Sequence, residues 1–354
     1  MNNIEKYLGL LDGQVNGLLL TSRYSRHYAA EYDIAEGVAV ISKAGCRYFT
    51  DSRYIEAAQN GISGFEVVEM NRENPFSKLI NQACTDFGVT TLGYEEEYLT
   101  VAEFMAYEQK LDAKLTPMSG KINALRQIKE EYELERMRKA QQITDAAFAE
   151  VLTRIEYGMT EKELAAELIY CLLKNGGEGL SFEPIVISGP NTSLPHGVPG
   201  NRRLREGDFV TMDFGVIYQG YCSDMTRTVA LGYATEEMRR VYDTVLQAQL
   251  AGIAATRAGV TGAEVDAAAR KVIEDAGYGA YFGHSYGHSI GMECHEMPPC
   301  SPSSKVVMEE NMVSSAEPGI YLPGKFGVRI EDVVIFKAGG CENLTHSPKN
   351  LIII

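Results

Sequence analysis

The sequence predicts an α+β domain preceded by a smaller α/β domain. Three observations support this prediction: a length of 354 residues, an alternation of short apolar runs and helical patterns before residue 121, and two acidic strand pairs after it. A chain of this length has room for two domains that each bury a core. We place the boundary between residues 121 and 122, where Pro117 and Gly120 precede a long charged helix.

The first domain, residues 1–121, combines strands and helices. Short apolar runs bounded by Gly, Ser or Asp are typical of buried strands, and segments with helical periodicity lie between or after them. Strands are predicted at 15–20, 37–42 and 47–50, and helices at 4–11, 53–60 and 75–87. This alternation favours a small mixed sheet with helices on its faces.

The second domain, residues 122–354, contains long amphipathic helices. A capping box formed by Thr160 and Glu163 begins one of them, and Asn175-Gly-Gly ends it. Helices are predicted at 128–155, 161–174, 235–256 and 261–276, and a strand at 182–188. The apolar stripes of these helices are expected to pack on a curved antiparallel sheet.

The first acidic strand pair occupies residues 209–229. With Gln219-Gly220 as a two-residue hairpin loop, Gly215 is expected opposite Asp224. Residues two apart on a strand share a face, so Asp213 and Asp224 should point to the same side, one diagonal apart.

The second acidic strand pair occupies residues 315–334. A loop centred on Gly324 sets Glu317 directly opposite Glu331. Like charges in this position destabilise a strand pair, so a positive group is expected between them.

Three histidines, His284, His288 and His295, lie between the two acidic pairs. The glycines at 283 and 287 argue against a helix that would make His284 and His288 joint ligands. Four carboxylates and one imidazole form a ligand set suited to two divalent ions. The alternative is that the four acids are exposed strand residues. Their shared pattern favours the metal site, because burying unpaired charge is costly.

Six short motifs of the second domain carry a family resemblance. They are Leu194-Pro-His196-Gly, Met212-Asp213-Phe-Gly with Asp224-Met-Thr-Arg227, Gly287-His288-Ser-Ile-Gly, His295-Glu, Ala316-Glu317-Pro-Gly-Ile-Tyr321 and Val328-Arg-Ile-Glu331-Asp332. In these motifs the chain resembles the pita-bread metallopeptidases, specifically the proline-specific branch of Xaa-Pro aminopeptidases and Xaa-Pro dipeptidases (prolidases). The resemblance is strong over residues 120–354 and weak before them. It implies a creatinase-type N-terminal domain followed by a pita-bread catalytic domain.

The resemblance also implies a metal centre. Two divalent ions, with Mn²⁺ favoured over Co²⁺ and Zn²⁺, would be held by Asp213, Asp224, His288, Glu317 and Glu331. Such a pair of ions lowers the pKa of an attacking water and stabilises the tetrahedral intermediate. Glu317 is in addition expected to act as the general base that later protonates the leaving amine.

The remaining site residues are expected to handle the substrate. His196 and His295 would stabilise the oxyanion or bind the substrate carbonyl, and His284 would contact substrate or carry protons. Arg329 is expected to support the metal ligands and to bind substrate. An ion pair of Arg329 with Glu331, on the same strand face, is the simpler alternative, and the two roles are compatible.

Charge and cysteine content limit the possible binding partners and the cellular compartment. The chain has 33 Lys and Arg against 48 Asp and Glu, a net charge of −15, which disfavours nucleic acid and anionic membranes as partners. Seven scattered cysteines fit reduced thiols in a cytosolic protein. The N-terminal segment has no basic start followed by an apolar core, so a cytoplasmic protein is predicted. A homodimer is implied by the family resemblance.

The expected substrates are small peptides with proline at the second position, and whether dipeptides or longer peptides are preferred stays open. A methionine aminopeptidase would share the five ligands, but that branch usually lacks a comparable N-terminal domain. A creatinase-type hydrolase typically lacks the ligands that this chain has. A non-catalytic peptide-binding protein on the same fold would be expected to lose ligands or histidines.

Overall fold

In the computed structural model, which describes residues 3–34 and 36–354, a mixed six-stranded sheet organises the first of two units. The units are Met1–Arg126 and Gln127–Ile354. In the first unit the helices are α1 Asn3–Leu8, α2 Arg23–Ala30, α3 Ile55–Gly61, α4 Phe76–Phe87, α5 Val101–Lys110 and α6 Ser119–Ala124. Its strands are β1 Gly17–Leu20, β2 Val38–Ser42, β3 Gly45–Asp51, β4 Glu66–Met70, β5 Thr91–Tyr94 and β6 Lys114–Pro117, arranged as β4-β3-β2-β1-β5-β6.

The predicted elements of the first unit are confirmed. Strands β1, β2 and β3 and helices α1, α3 and α4 overlap the predicted segments. Every residue of β1 and β2 is buried, as their apolar composition requires. Helix α2 was not predicted, although Ser22 caps it by accepting a hydrogen bond from the backbone N–H of Tyr24 at 3.2 Å.

The second unit contains four long helices and several small antiparallel sheets. The helices are α7 Glu131–Leu152, α8 Glu161–Lys174, α9 Glu236–Ala255 and α10 Gly262–Asp275. The strands are β7 Gly179–Leu180, β8 Ile185–Ser188, β9 Phe209–Phe214, β10 Val216–Tyr218, β11 Tyr221–Cys222, β12 Met225–Ala230, β13 Gly287–Ser289, β14 Glu296–Cys300, β15 Val313–Ala316, β16 Gly319–Leu322, β17 Phe326–Arg329, β18 Asp332–Lys337 and β19 Gly340–Asn343. Across the described residues, no helix is both long and apolar enough to cross a bilayer.

Local sequence explains where these helices begin. Thr160 accepts a hydrogen bond from the N–H of Glu163 at 3.2 Å, and the Glu163 carboxylate accepts one from the N–H of Thr160 at 2.7 Å. This reciprocal pair is the predicted capping box of α8. The four predicted long helices are all present, with ends close to their predicted bounds.

Each half of the second unit backs one acidic strand pair with two helices. In the first half, α7 and α8 contribute Phe148 and Leu168 to a core shared with Met212 of β9. In the second half, α9 and α10 contribute Tyr242 and Val265 to a second core, which includes strands β15–β18. This arrangement places the two acidic strand pairs in equivalent settings.

Candidate metal centre

The first acidic pair follows one register along its whole length. Ile217 pairs with Cys222 near the loop, and Asp213 pairs with Thr226 farther away. Regular pairing is interrupted between β11 and β12, at Asp224. Gln219 and Gly220 form the loop with φ values of 47° and 80°, which are typical of a type I′ hairpin turn. The predicted loop and register are therefore confirmed.

The second acidic pair repeats this arrangement. Gly319 of β16 pairs with Arg329 of β17, and β15 and β18 continue the same register. Pairing is interrupted at Glu317 and Glu331, which this register sets opposite each other, as predicted. Gly324 supplies the loop residue with a φ of 72°. Three of the four acids thus lie at breaks in the hydrogen-bond ladder.

The carboxylates are buried without enough hydrogen-bond donors. Asp213, Asp224 and Glu331 are 8%, 3% and 1% exposed. One oxygen of each has no hydrogen-bond partner within the described part of the chain: Oδ1 of both aspartates and Oε1 of Glu331. Buried oxygens of this kind are costly unless a donor or a cation meets them.

Burial and mutual repulsion act together on these groups. Burial, followed by the charges of Asp213 and Glu317, raises the pKa of Asp224 well above its usual range. Burial and then the charge of Asp224 raise the pKa of Glu331 in the same way, and burial raises the pKa of Glu317. Divalent cations among these groups would reverse both effects, because they compensate the charge that burial penalises.

His288 presents a free nitrogen to this cluster. Its Nδ1 lies 3.1 Å from the carbonyl oxygen of Ser289, which can only accept, so Nδ1 carries the hydrogen. Burial lowers the pKa of His288, which favours the neutral ring. Its Nε2 then carries a lone pair, and this nitrogen lies 3.5 Å from Asp224 Oδ2 and 3.3 Å from Glu317 Oε1. A lone pair facing two carboxylates is repulsive unless a cation lies between them.

The donor set fits divalent metal ions. Ligand atoms of Asp224, His288 and Glu331 all lie within 4.8 Å of one another. Asp213 and Glu317 line the same cavity beside them. One neutral imidazole among carboxylates suits borderline-hard dications such as Mn²⁺, Co²⁺ or Zn²⁺.

Arg329 joins the two acidic pairs. Its Nη2 donates to Asp213 Oδ2 at 2.5 Å, and its Nε donates to the hydroxyl of Thr226 at 3.0 Å. That hydroxyl in turn donates to Glu331 Oε2 at 2.6 Å. The direct ion pair is therefore with Asp213, and the connection to Glu331 runs through Thr226. Arg329 is only 3% exposed, so this guanidinium orients two carboxylates from within the site.

His284 lies at the end of a hydrogen-bonded chain. Its Nδ1 donates to the carbonyl oxygen of Ser285 at 2.8 Å, so its Nε2 accepts from the hydroxyl of Tyr321 at 2.9 Å. Tyr321 also accepts from Arg329 Nη1 at 2.9 Å. Burial lowers the pKa of His284, consistent with this neutral tautomer.

The other predicted histidines border the same cavity. The His295 ring is centred 4.1 Å from the ring of His288, and burial, followed by the charge of His288, lowers its pKa. His196 also lines the cavity. The half-buried thiol of Cys294 donates to Asp224 Oδ2 at 3.4 Å.

The cavity has a volume of about 760 Å³ and is lined by polar and apolar residues. The polar lining includes all nine predicted site residues: Asp213, Asp224, His288, Glu317, Glu331, His196, His284, His295 and Arg329. The apolar lining includes Phe182, Ile185, Pro195 and Pro299. A cleft with an apolar surface and convergent polar groups is typical of a small-molecule site.

Sequence reasoning gave no role to Thr226, Tyr321 or Cys294. The first two stand inside quoted motifs, two residues from Asp224 and four from Glu317. Their position beside ligands was the available signal for a supporting role. Cys294 stands directly before His295 and so near the predicted site, but its contact with Asp224 spans 70 residues and could not be predicted from the sequence.

Two family matches cover most of the chain. Residues 135–338 match metallopeptidase family M24. Residues 9–128 match the creatinase/prolidase N-terminal domain.

Similarity to other proteins extends over nearly the whole chain. The solved structure of an Xaa-Pro dipeptidase from Bacillus anthracis has a TM-score of 0.96 and 42% identity, covering 99% of both chains. An X-Pro aminopeptidase structure from Thermotoga maritima has a TM-score of 0.93 and 36% identity, covering 100% of both chains. An Xaa-Pro dipeptidase of Pyrococcus horikoshii is 32% identical over 352 residues, 99% of this chain and 98% of that protein.

Proposed function

The chain belongs to metallopeptidase family M24, and we propose that it uses two divalent metal ions to cleave the bond between an N-terminal residue and proline. It is a metal-dependent peptidase with the predicted fold class: a pita-bread catalytic domain preceded by a creatinase-type N-terminal domain. The methionine aminopeptidase alternative is disfavoured by the match of residues 9–128 to the creatinase/prolidase domain.

The observation that carries the proposal is the buried carboxylate cluster facing a neutral imidazole. Asp213, Asp224, His288, Glu317 and Glu331 would hold the ions, with Mn²⁺ favoured. The ions, when bound, supply an activated water and Lewis-acid stabilisation of the oxyanion. The protein supplies the placement of the ligands, chiefly through Arg329 and Thr226.

Glu317 is the group best placed to move protons. Ser315 donates to its Oε1 at 2.9 Å, which orients the carboxylate. We assign Glu317 to accept a proton from the attacking water as the new carbon–oxygen bond forms. The same proton would pass to the proline nitrogen as the carbon–nitrogen bond breaks. That nitrogen has no hydrogen in the peptide, so it must gain one to leave as an amine.

The histidines would hold the substrate. A ring N–H of His196 or His295 can donate to the substrate carbonyl oxygen, which becomes negative as the water adds. Both ring nitrogens of His284 already have protein partners, so its contact with substrate would replace one of those hydrogen bonds. Arg329 would act on substrate through the residues that it orients.

The apolar lining of the cavity supports the choice of proline. The proline side chain is a compact apolar ring, and Phe182, Ile185, Pro195 and Pro299 offer it a matching surface beside the reacting groups. The names of the similar proteins, which include both Xaa-Pro dipeptidases and X-Pro aminopeptidases, agree with this choice. A homodimer and a cytoplasmic location stay predictions.

Three peptides test the proposal: Ala-Pro, Ala-Pro-Ala and Met-Ala-Ala, each incubated with protein that has been chelated and refilled with Mn²⁺, Co²⁺ or Zn²⁺. We expect cleavage before proline only after metal is returned, and little cleavage of Met-Ala-Ala. The ratio of Ala-Pro to Ala-Pro-Ala cleavage then assigns the length preference. Preferential cleavage of Met-Ala-Ala would instead indicate a methionine aminopeptidase, and binding without cleavage would indicate a peptide-binding protein.

A further inference from the structure

Lys129 and Glu296 form a buried ion pair outside the cavity. Lys129 Nζ lies 3.0 Å from Glu296 Oε2, and the two side chains are 1% and 6% exposed. The two residues are 167 positions apart in the chain. A buried ion pair contributes little net stability, because the desolvation of both charges offsets their attraction. The contacts that the pair makes with neighbouring residues therefore explain it better than a contribution to stability.

The other oxygen of Glu296 organises a turn. Glu296 Oε1 accepts from the backbone N–H of Met292 at 3.1 Å and of Glu293 at 3.3 Å. A Cβ on Gly291 would lie 2.7 Å from Glu296 Oε2, so glycine allows the carboxylate to approach the backbone. We call residues 291–295 the His295 turn.

The His295 turn contacts the metal-ligand strands on its other side. The carbonyl oxygen of Gly291 accepts from the N–H of Cys222 at 2.7 Å, two residues before Asp224. The turn then delivers Cys294, whose thiol donates to Asp224, and His295, whose ring packs on His288. Lys129 thus reaches the cavity through Glu296 and this turn, without touching it directly.

We propose that Lys129 and Glu296 are positioning residues that fix the His295 turn, and thereby the ring of His295, over the reacting groups. Lys129 fixes the direction of the Glu296 carboxylate, and Glu296 fixes the turn. The inference rests on the proposed function, since it assigns the pair to the same site. None of the five proposed metal ligands lies in the turn, so metal binding should be largely independent of the pair.

The test is a double-mutant cycle between Lys129→Met and His295→Ala, with Ala-Pro hydrolysis as the readout. In the wild-type background we expect Lys129→Met to lower kcat/KM by about 10- to 100-fold, as for other groups that orient active-site residues. In the His295→Ala background the same change should lower kcat/KM by less than about 3-fold, because the residue it positions is gone. Equal losses in both backgrounds, or loss of bound Co²⁺ from Lys129→Met, would overturn the inference.

Two further variants serve as controls, one for folding and one for the loss of an unrelated ion pair. Lys129→Met/Glu296→Gln removes both charges while keeping an oxygen that can accept from the turn, so it should fold if Lys129→Met is too unstable. Introduced into the wild-type and the His295→Ala backgrounds, this double variant must lower kcat/KM in the first and much less in the second. Lys271→Met breaks an exposed ion pair with Asp275 on α10 and should leave kcat/KM unchanged.

A spectroscopic readout separates this inference from the proposed function. The chain has six histidines, so the ring nitrogens can be followed individually by long-range ¹H–¹⁵N NMR. We expect Lys129→Met to shift the His295 signals and to leave those of the exposed His346 in place. If the wild-type protein cleaves no proline peptide, the proposed function fails, whereas unshifted His295 signals contradict the positioning role itself.

Discussion

Asp224→Asn is expected to abolish peptidase activity while leaving the protein folded. Asp224 offers a ligand atom within 4.8 Å of those of His288 and Glu331, so the amide would weaken the binding of the ions. Metal catalysis supplies several kcal/mol of transition-state stabilisation, and each ~1.4 kcal/mol is tenfold, so kcat/KM should fall by about 10³-fold or more. Ala-Pro hydrolysis and metal content measure the effect.

The effect of Asp224→Asn on thermal stability has a less obvious sign. Without metal, the wild-type protein buries several carboxylates that repel one another, and the amide removes one of these charges. The metal-free variant should therefore have a Tm no lower than that of metal-free wild type. Asp243→Asn, an exposed position on α9, is the matched control and should change neither activity nor metal content. A metal-replete, active Asp224→Asn protein would refute the dinuclear assignment.

Glu317→Gln is expected to give the second-largest loss of peptidase activity. It should also separate the chemical step from substrate binding. The amide has nearly the shape of the carboxylate but cannot accept a proton, so general base catalysis is lost and kcat should fall by about 10²- to 10⁴-fold. Because the substrate contacts remain, KM should change much less. Steady-state kinetics on Ala-Pro, together with the amount of bound Co²⁺, measures both effects.

The control for this variant is Glu309→Gln, which changes an exposed glutamate in the same half of the domain. It should leave kcat unchanged. A Glu317→Gln protein with kcat within tenfold of wild type would show that another group moves the proton. Loss of kcat together with loss of all bound metal would attribute the effect to Glu317 as a metal ligand and would leave the base assignment without support.

Local chemistry explains why both acidic strand pairs could be predicted from the sequence. Gly220 and Gly324 have positive φ values, so each marks its loop, and strand alternation then fixes which acids share a face. The helix ends followed from similarly local signals, such as the capping box at Thr160 and Glu163. Within one hairpin or one helix, sequence spacing and spatial spacing are nearly the same.

Contacts between distant segments could not be predicted in this way. The pattern suggested an ion pair of Arg329 with Glu331, two residues away, whereas the guanidinium reaches Asp213 across the sheets. The pair of Lys129 and Glu296 likewise depends on tertiary packing. Such partners are set by how the two halves of the domain pack, and spacing in the chain carries no record of that packing.

The most direct measurement of the central claim is metal content and Ala-Pro hydrolysis on the same samples. The protein would be chelated, refilled with increasing Mn²⁺, freed of excess ion, and analysed for bound metal and for rate. We predict no hydrolysis without metal and a rate that rises to its maximum as two ions bind per chain. Hydrolysis of Ala-Pro at full rate by metal-free protein, or by protein holding a single ion, would contradict the dinuclear centre.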